Sequence, residues 1–404
     1  MGHDHHHPHG PVEVAPRVTR YLLLALAPFL IATIVGFALL WPEQRDLNVD
    51  PGGFNTQEFK ATVTEVVPSD CPEVPGRGGF VCSRVTVELE EGPDAGDSFT
   101  FDYSNSARTR SVQAGDGLIV GSIDAPAPEA LPPGVDAPPK YFFLDFDRRV
   151  PLIVLALVFS VFVIALSRLR GLAALAGLAV SLLVLVRFVL PAILQGEDPL
   201  LVAIVGGAGI MFLALYLAHG FNAATTTAVL GTLVALTLTG GLALLFVNIS
   251  IFTGAGTEEA AFLQISQQQV NLQGLLLASI IIGTLGVLDD VTVTQASAVW
   301  ELKRANQDYQ IRDLYGAGIR IGRDHIASTV NTLVLAYTGA SLPLLILFSG
   351  SNRALGLVLN TETVAEEIVR TLVGSIGLVA SVPITTGLAA VVVTAASRIG
   401  EDEV

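Results

Sequence analysis

Gly283-Thr-Leu-Gly-Val-Leu-Asp-Asp-Val-Thr-Val-Thr-Gln-Ala-Ser-Ala-Val-Trp-Glu301 is the stretch on which the reading of this chain turns. It continues an apolar run, Leu275 to Ile282, sets Asp289 beside Asp290, and then supplies the hydroxyls of Thr292, Thr294 and Ser297. Gly274 to Leu288 is fifteen residues, about 22 Å of helix at ~1.5 Å per residue, against a hydrocarbon core of ~30 Å. A full span therefore has to run past the aspartates to about Val293. Each acid inside it costs roughly 2.5–3.5 kcal/mol on insertion scales, which makes the pair a functional-site candidate. The plainer alternative ends the span at Leu288 and leaves both acids in interfacial water.

Adjacent residues on a helix point about 100° apart, so an unbroken helix sends the two carboxylates different ways. A break near Gly283 or Gly286 would let both converge, as in the half-helices of transporters. Thr292 and Thr294 add neutral oxygens, a donor set suited to a proton relay or to a hard cation such as Na⁺, Mg²⁺ or Ca²⁺.

Outward from this stretch, the 404-residue chain is 51% hydrophobic and 15% charged, with a mean hydropathy of +0.61. Such a composition predicts an α-helical polytopic membrane protein whose first partner is the lipid bilayer. Eight spans are expected: Tyr21–Trp41, Val150–Leu166, Gly171–Leu194, Leu200–Ala218, Ala224–Val247, Gly274 to about Val293, Ile326–Phe348 and Thr371–Ala396. Arg17 and Arg20 precede the first span; Ser167-Arg-Leu-Arg170 and the Lys/Arg-bearing 301–325 segment are basic connections, whereas Gln195–Pro199 and 248–273 are acidic. By the positive-inside bias both termini are cytoplasmic. Arg148 and Arg149 dissent from that pattern. Residues 1–20 form a tail and 21–41 an uncleaved anchor; 148–398 form a seven-helix membrane domain and 399–404 an acidic end. Segment 301–325 is expected to break at Asp313–Gly318, and Leu355–Arg370 to form a capped approach to the last span.

Residues 42–147 hold 19 Asp/Glu against 7 Lys/Arg, an acidity that excludes nucleic acid as a partner. Alternation in Phe59–Val67, Val81–Leu89, Ser98–Tyr103, Gly117–Ile123 and Lys140–Phe146 predicts a small extracytoplasmic β barrel or sandwich of five or six strands. An oligonucleotide-binding-type (OB-like) barrel fits that count. Cys71 and Cys82 lie in this stretch, and export makes them a structural disulfide.

Other residues carry weaker signals. Arg187 is the obvious counter-ion for the aspartates, but it sits roughly 12 Å of helix from the outer loop and Asp289 roughly 22 Å. It is expected to snorkel rather than meet them. Ser328, Asn331 and Thr332 share a helical face and are expected to oppose Asp289 and Asp290, unless they serve only to bond helices together. Ser381, Pro383, Thr385 and Thr386 suggest a kink with further hydroxyls. The amino-terminal His3, His5, His6, His7 and His9 are a weak metal-ligand set without a defined spacing, read as readily as a solvated tail.

From Gly283 through Asp289-Asp290 and Thr294 to Glu301, and in its order of anchor, β-rich exported domain and multi-span region, the chain resembles the YibE/F-like bacterial membrane proteins. The resemblance extends from Tyr21 to Arg398. It implies a permease-like architecture and supplies no substrate or catalytic residue.

No P-loop, Gly-x-Ser-x-Gly or His-Glu-x-x-His pattern is present, and the second aspartate that an intramembrane aspartyl protease needs on another helix is missing. The expectation is therefore not an enzyme. It is a secondary transporter or permease for a small solute or ion, coupled to protons or a cation through Asp289 and Asp290, with no cofactor beyond a bound cation. The alternative is a membrane receptor or scaffold whose β domain binds a ligand or partner. Substrate, direction and oligomeric state leave no legible pattern.

Overall fold

The computed structural model describes residues 16–43, 57–70, 80–106, 110–122, 139–267, 269–350 and 353–401. The histidine tail and Cys71 lie outside the described residues. The chain divides into two units, Asn48–Phe162 and Met1–Leu47 together with Val163–Val404.

In the first unit, five strands arise where alternation predicts them: β1 (Gln57–Ser69), β2 (Phe80–Leu89), β3 (Ser98–Ser106), β4 (Gly117–Ser122) and β5 (Tyr141–Phe146). They form one antiparallel sheet in the order β3-β2-β1-β4-β5, curled into a half-barrel. Period-two alternation turns Ala61, Val63, Val85, Val87, Leu89, Leu118 and Val120 inward as its core. A bulge between Val63 and Glu65 shifts the β1–β2 register while pairing continues on both sides, a device that bends a strand and increases its twist on a curved sheet. Gly115, at φ 90°, makes the turn before β4, and Asp116 holds that turn by accepting from Gln113 N at 2.9 Å and Arg110 Nη2 at 2.7 Å. Cys82, on β2, is disulfide-bonded.

The second unit is helical. Its elements are α1 (Pro16–Leu39), the later part of α2 (Arg149–Val184), a π-helical turn (Leu185–Val189), α3 (Leu190–Leu194), α4 (Pro199–His219), α5 (Ala223–Ile249) and α6 (Glu258–Ser266). They continue as α7 (Leu272–Ala305), α8 (Ile311–Ala340), α9 (Leu342–Ser349), α10 (Leu355–Leu359) and α11 (Glu362–Glu401). Six of the described helices are long and apolar enough to cross a membrane, or seven if the bent α8–α9 pair is one span. Polar residues start them: Asp198, Asn222 and Asn271 each accept the N–H of the third residue onward, satisfying a donor that the first turn leaves free.

Breaks in this unit follow from backbone chemistry. Within α2, Arg168 adopts φ 52°, ψ −128°, and a Cβ on Gly171 would strike the carbonyl oxygen of Val163. Those two residues would stand ~12 Å apart along a straight helix, so the chain folds back at the basic turn. The π-helical turn ends just before Pro191, whose ring has no N–H and crowds the carbonyl of Arg187 four residues earlier.

Two expectations are corrected. The Asp313–Gly318 segment is no break, because α8 runs unbroken from Ile311 behind a capping box in which Gln310 N donates to Asp313 Oδ2 at 3.0 Å. Conversely, Ile326–Phe348 is not one straight span, because the chain bends by 66° between α8 and α9. Pro343 lies in the first turn of α9, where its missing N–H costs nothing to the new helix but cannot continue the old one.

The interior lies among α5, α7, α8 and α11, and it is packed with small and hydroxyl side chains. A Cβ on Gly231 of α5 would land on Thr385 Oγ1 of α11, and one on Gly377 of α11 on Thr239 Oγ1 of α5. These reciprocal contacts set an antiparallel register with the two backbones close together. Thr227, Thr232, Thr239 and Thr284 are buried and donate to main-chain oxygens of their own helices at 2.8–3.0 Å, the cheapest way to keep a hydroxyl satisfied in an apolar interior.

Candidate functional site

α7 is continuous through Gly283, Gly286 and both aspartates. The carboxylates therefore diverge, as an unbroken helix requires, rather than converging at a helix break. Asp290 is exposed, its side chain 71% accessible, with its Oδ2 4.0 Å from His325 Nε2 on α8. Asp289 is half-buried, and its Oδ1 is buried with no hydrogen-bond partner among the described residues. One turn before it, Leu285 packs on Gly207 of α4, which places Asp289 on the α4-facing stripe of the helix.

That stripe continues as Val293 and Ser297, four and eight residues on. Both line a cavity of about 670 Å³ together with Arg304 of α7, Arg170 of α2, His219 of α4 and Asn222 of α5. Its wall thus mixes the polar ends of four helices with apolar sides, and it stops one helical turn, ~6 Å, short of Asp289. Arg304 is held by Glu301 at 2.7 Å.

The remaining sequence candidates fall in different places. Thr292 is buried and committed: its Oγ1 lies 2.6 Å from Thr232 Oγ1 of α5 and 3.1 Å from the main-chain oxygen of Asp289. Thr294 is exposed. Ser328, Asn331 and Thr332 are exposed too, with Thr332 Oγ1 turned back to Ser328 O at 3.0 Å. The α8 residues that pack on the core are Ile326, Val330, Leu333 and Tyr337; His325, which meets Asp290, stands one turn before Ser328 and two before Thr332 on a neighbouring stripe. Arg187 is exposed, in line with snorkelling and not with a counter-ion.

Two residues of this interior escape a reading by residue type. Gln295 is buried at 2% exposure, and its Nε2 donates to Gly318 O of α8 at 2.7 Å and to Thr386 Oγ1 of α11 at 2.8 Å. Lys303, equally buried, donates from Nζ to Gln307 O at 2.5 Å and Tyr309 O at 2.9 Å, closing the α7–α8 turn. The signal for Gln295 was positional: Leu288, Thr292, Gln295 and Val299 form one i, i+4, i+7, i+11 stripe, and everything on that stripe is buried.

A family model described as YibE/F-like protein matches residues 155–395, more than half of the chain. The chain belongs to the YibE/F-like family. The matched region holds the aspartate pair, the cavity and the α5–α7–α8–α11 interior; α1 and the β domain lie outside it, so the match is narrower than the resemblance from Tyr21 to Arg398. No curated protein and no solved structure matches the chain. For this YibE/F-like protein, function has to be argued from the site itself.

Proposed function

We propose that this YibE/F-like protein is a secondary transporter or permease, coupled to protons or a cation through Asp289. One observation carries the reading: a carboxylate oxygen buried without a partner among the described residues sits one turn beyond a polar cavity on the same helical stripe. A buried carboxylate without a partner is costly while charged, and taking up a proton or cation removes that cost. The cavity gives the route by which either would arrive. Asp290, exposed and 4.0 Å from His325 Nε2, is not the carboxylate assigned to coupling.

In this reading the chain spans the membrane eight times. The Arg149–Leu194 stretch of 46 residues is about 69 Å of helix, twice what a ~30 Å core holds, so its fold-back at Arg168 divides it into two spans. α8 and α9 together make another. Both termini are cytoplasmic, the cavity opens to the cytoplasm, and residues 42–147 are extracytoplasmic in a bacterial cell membrane. The half-barrel is an OB-like barrel, since β3 and β5 are the two free edges that such a barrel brings together.

The test is charge displacement by proteoliposomes on a sensor surface after a jump in pH or in a cation. Asp289→Asn should abolish it and Asp290→Asn should retain it; an Asp289→Asn protein that behaves like wild type sinks the assignment. A receptor or scaffold reading is favoured by a different observation: Phe99, Phe101, Tyr103, Phe143 and Phe146 make a half-buried aromatic row along β3 and β5. On that reading, function survives the aspartate substitutions and depends on this row.

A further inference from the structure

At the other end of α7 from the cavity, the turn between α5 and α6 meets the start of α11. Glu362, the first residue of α11, accepts three hydrogen bonds on Oε1: from Thr253 N at 2.6 Å, Thr253 Oγ1 at 2.8 Å and Gly254 N at 2.9 Å. So many donors fix it as the anionic partner of that turn. Thr363 Oγ1 donates to Gly256 O at 2.5 Å, so the turn is clamped along the first helical turn of α11.

Glu366 follows one turn later and is only 4% exposed. Its carboxyl group is pressed against Gly256, where a Cβ would come within 2.9 Å of Oε1. That Oε1 is buried with no hydrogen-bond partner among the described residues, and Glu362 stands one helical turn before it on the same face of α11. Among the described residues the basic side chain that acts on this carboxyl is Arg370, one turn on, which also lies 3.5 Å from Glu367. Tyr337 of α8 feels both members of that pair, and Glu258 and Glu259 open α6 beyond the turn.

Two carboxyl groups one turn apart on the same helix face, one of them buried, cannot both be ionised without strong repulsion. Glu362 is held anionic by its three donors, which leaves Glu366 as the proton carrier. We propose that Glu366 is a proton-binding site, sharing one proton with Glu362, and that this proton keeps the 253–257 turn closed on α11. When it leaves, two adjacent charges face each other beneath the turn and push it off the helix. This site is independent of Asp289 and of the transport reading.

The test is infrared spectroscopy of the full chain in nanodiscs, following the protonated-carboxyl carbonyl stretch as pH is raised, together with hydrogen exchange of the 253–261 peptide. Asp289→Asn should retain a protonated-carboxyl band, and adding Glu366→Gln to it should remove that band. Exchange of the peptide should rise with pH in wild type, beyond the intrinsic rate, and stay flat in Glu366→Gln. Glu362→Gln, which keeps Glu366 but removes its charged neighbour, should release the proton at lower pH. A band that survives adding Glu366→Gln to Asp289→Asn, or the same pH response of the turn in wild type and Glu366→Gln, overturns the proposal. So does a band absent from Asp289→Asn, which would point to a bound cation instead.

Discussion

Gln295 of α7 and Gly318 of α8 are joined by a 2.7 Å hydrogen bond from the side-chain amide to the main-chain oxygen, and the same nitrogen reaches Thr386 of α11. Three helices thus meet at one buried amide. Removing it with Gln295→Ala loses two buried hydrogen bonds, each worth about 0.5–1.5 kcal/mol net, while Thr386 Oγ1 keeps its bond to Val382 O. The purified full chain should melt at lower temperature than wild type. A melting temperature unchanged within error would mean that this junction contributes nothing.

The Gly231–Thr385 contact leaves no room for a methyl group. Gly231→Ala should therefore destabilise by about 1–3 kcal/mol, the usual range for overpacking. Adding Thr385→Ala frees space at the same point, so the double variant should recover part of the loss. Additive effects of the two substitutions would show that the clash is not the cause.

Access from the cavity can be read with cysteines. The chain's natural cysteines are Cys71 and Cys82, and no free cysteine is found among the described residues. Ser297→Cys, on the cavity wall, should react with a membrane-impermeant thiol reagent applied from the cavity's side. Thr284→Cys, buried at 1% exposure toward the other end of α7, should stay unlabelled. Equal labelling of both would remove the cavity as a defined route.

In the β domain, hydrogen bonds from Lys140 and from Tyr141, the latter at 2.6 Å, hold the Asp94 carboxyl below its ordinary value. The Asp94 contact pushes Lys140 up. A lowered carboxyl stabilises the fold above the unfolded value of about 3.9 and loses that contribution as pH falls through its folded value; the raised Lys140 contributes below about 10.4 and loses it only above. Amide protection of β4 and β5, corrected for intrinsic exchange, should thus be flat near neutrality and drop below about pH 4. The drop should be smaller in Asp94→Asn, and an equal drop in both proteins would exclude this contact as its origin.

What could be read beforehand depended on whether neighbours in sequence or neighbours in space set the answer. All five strands were legible because alternation is local, and so was the reversal at Ser167–Arg170, where charge interrupts two apolar runs. The bend at Pro343 was hidden because Leu342 to Phe348 is apolar enough to prolong a span. The core-facing stripe of α8 was not legible for a related reason. Ser328, Asn331 and Thr332 mark a polar stripe, but in this chain the polar interior is built from Thr, Gln and Gly on α5, α7 and α11. Of the aspartate pair, sequence yielded the position and the divergence of the side chains. Which of the two turns inward depended on α4, through Leu285 and Gly207.

The most direct measurement of the central claim is charge displacement after a pH or cation jump, compared among wild type, Asp289→Asn and Asp290→Asn at equal reconstitution. A signal present in wild type, lost in Asp289→Asn and retained in Asp290→Asn is the predicted result. A signal that survives in Asp289→Asn, or is lost only in Asp290→Asn, contradicts the assignment of the buried carboxylate as the coupling site.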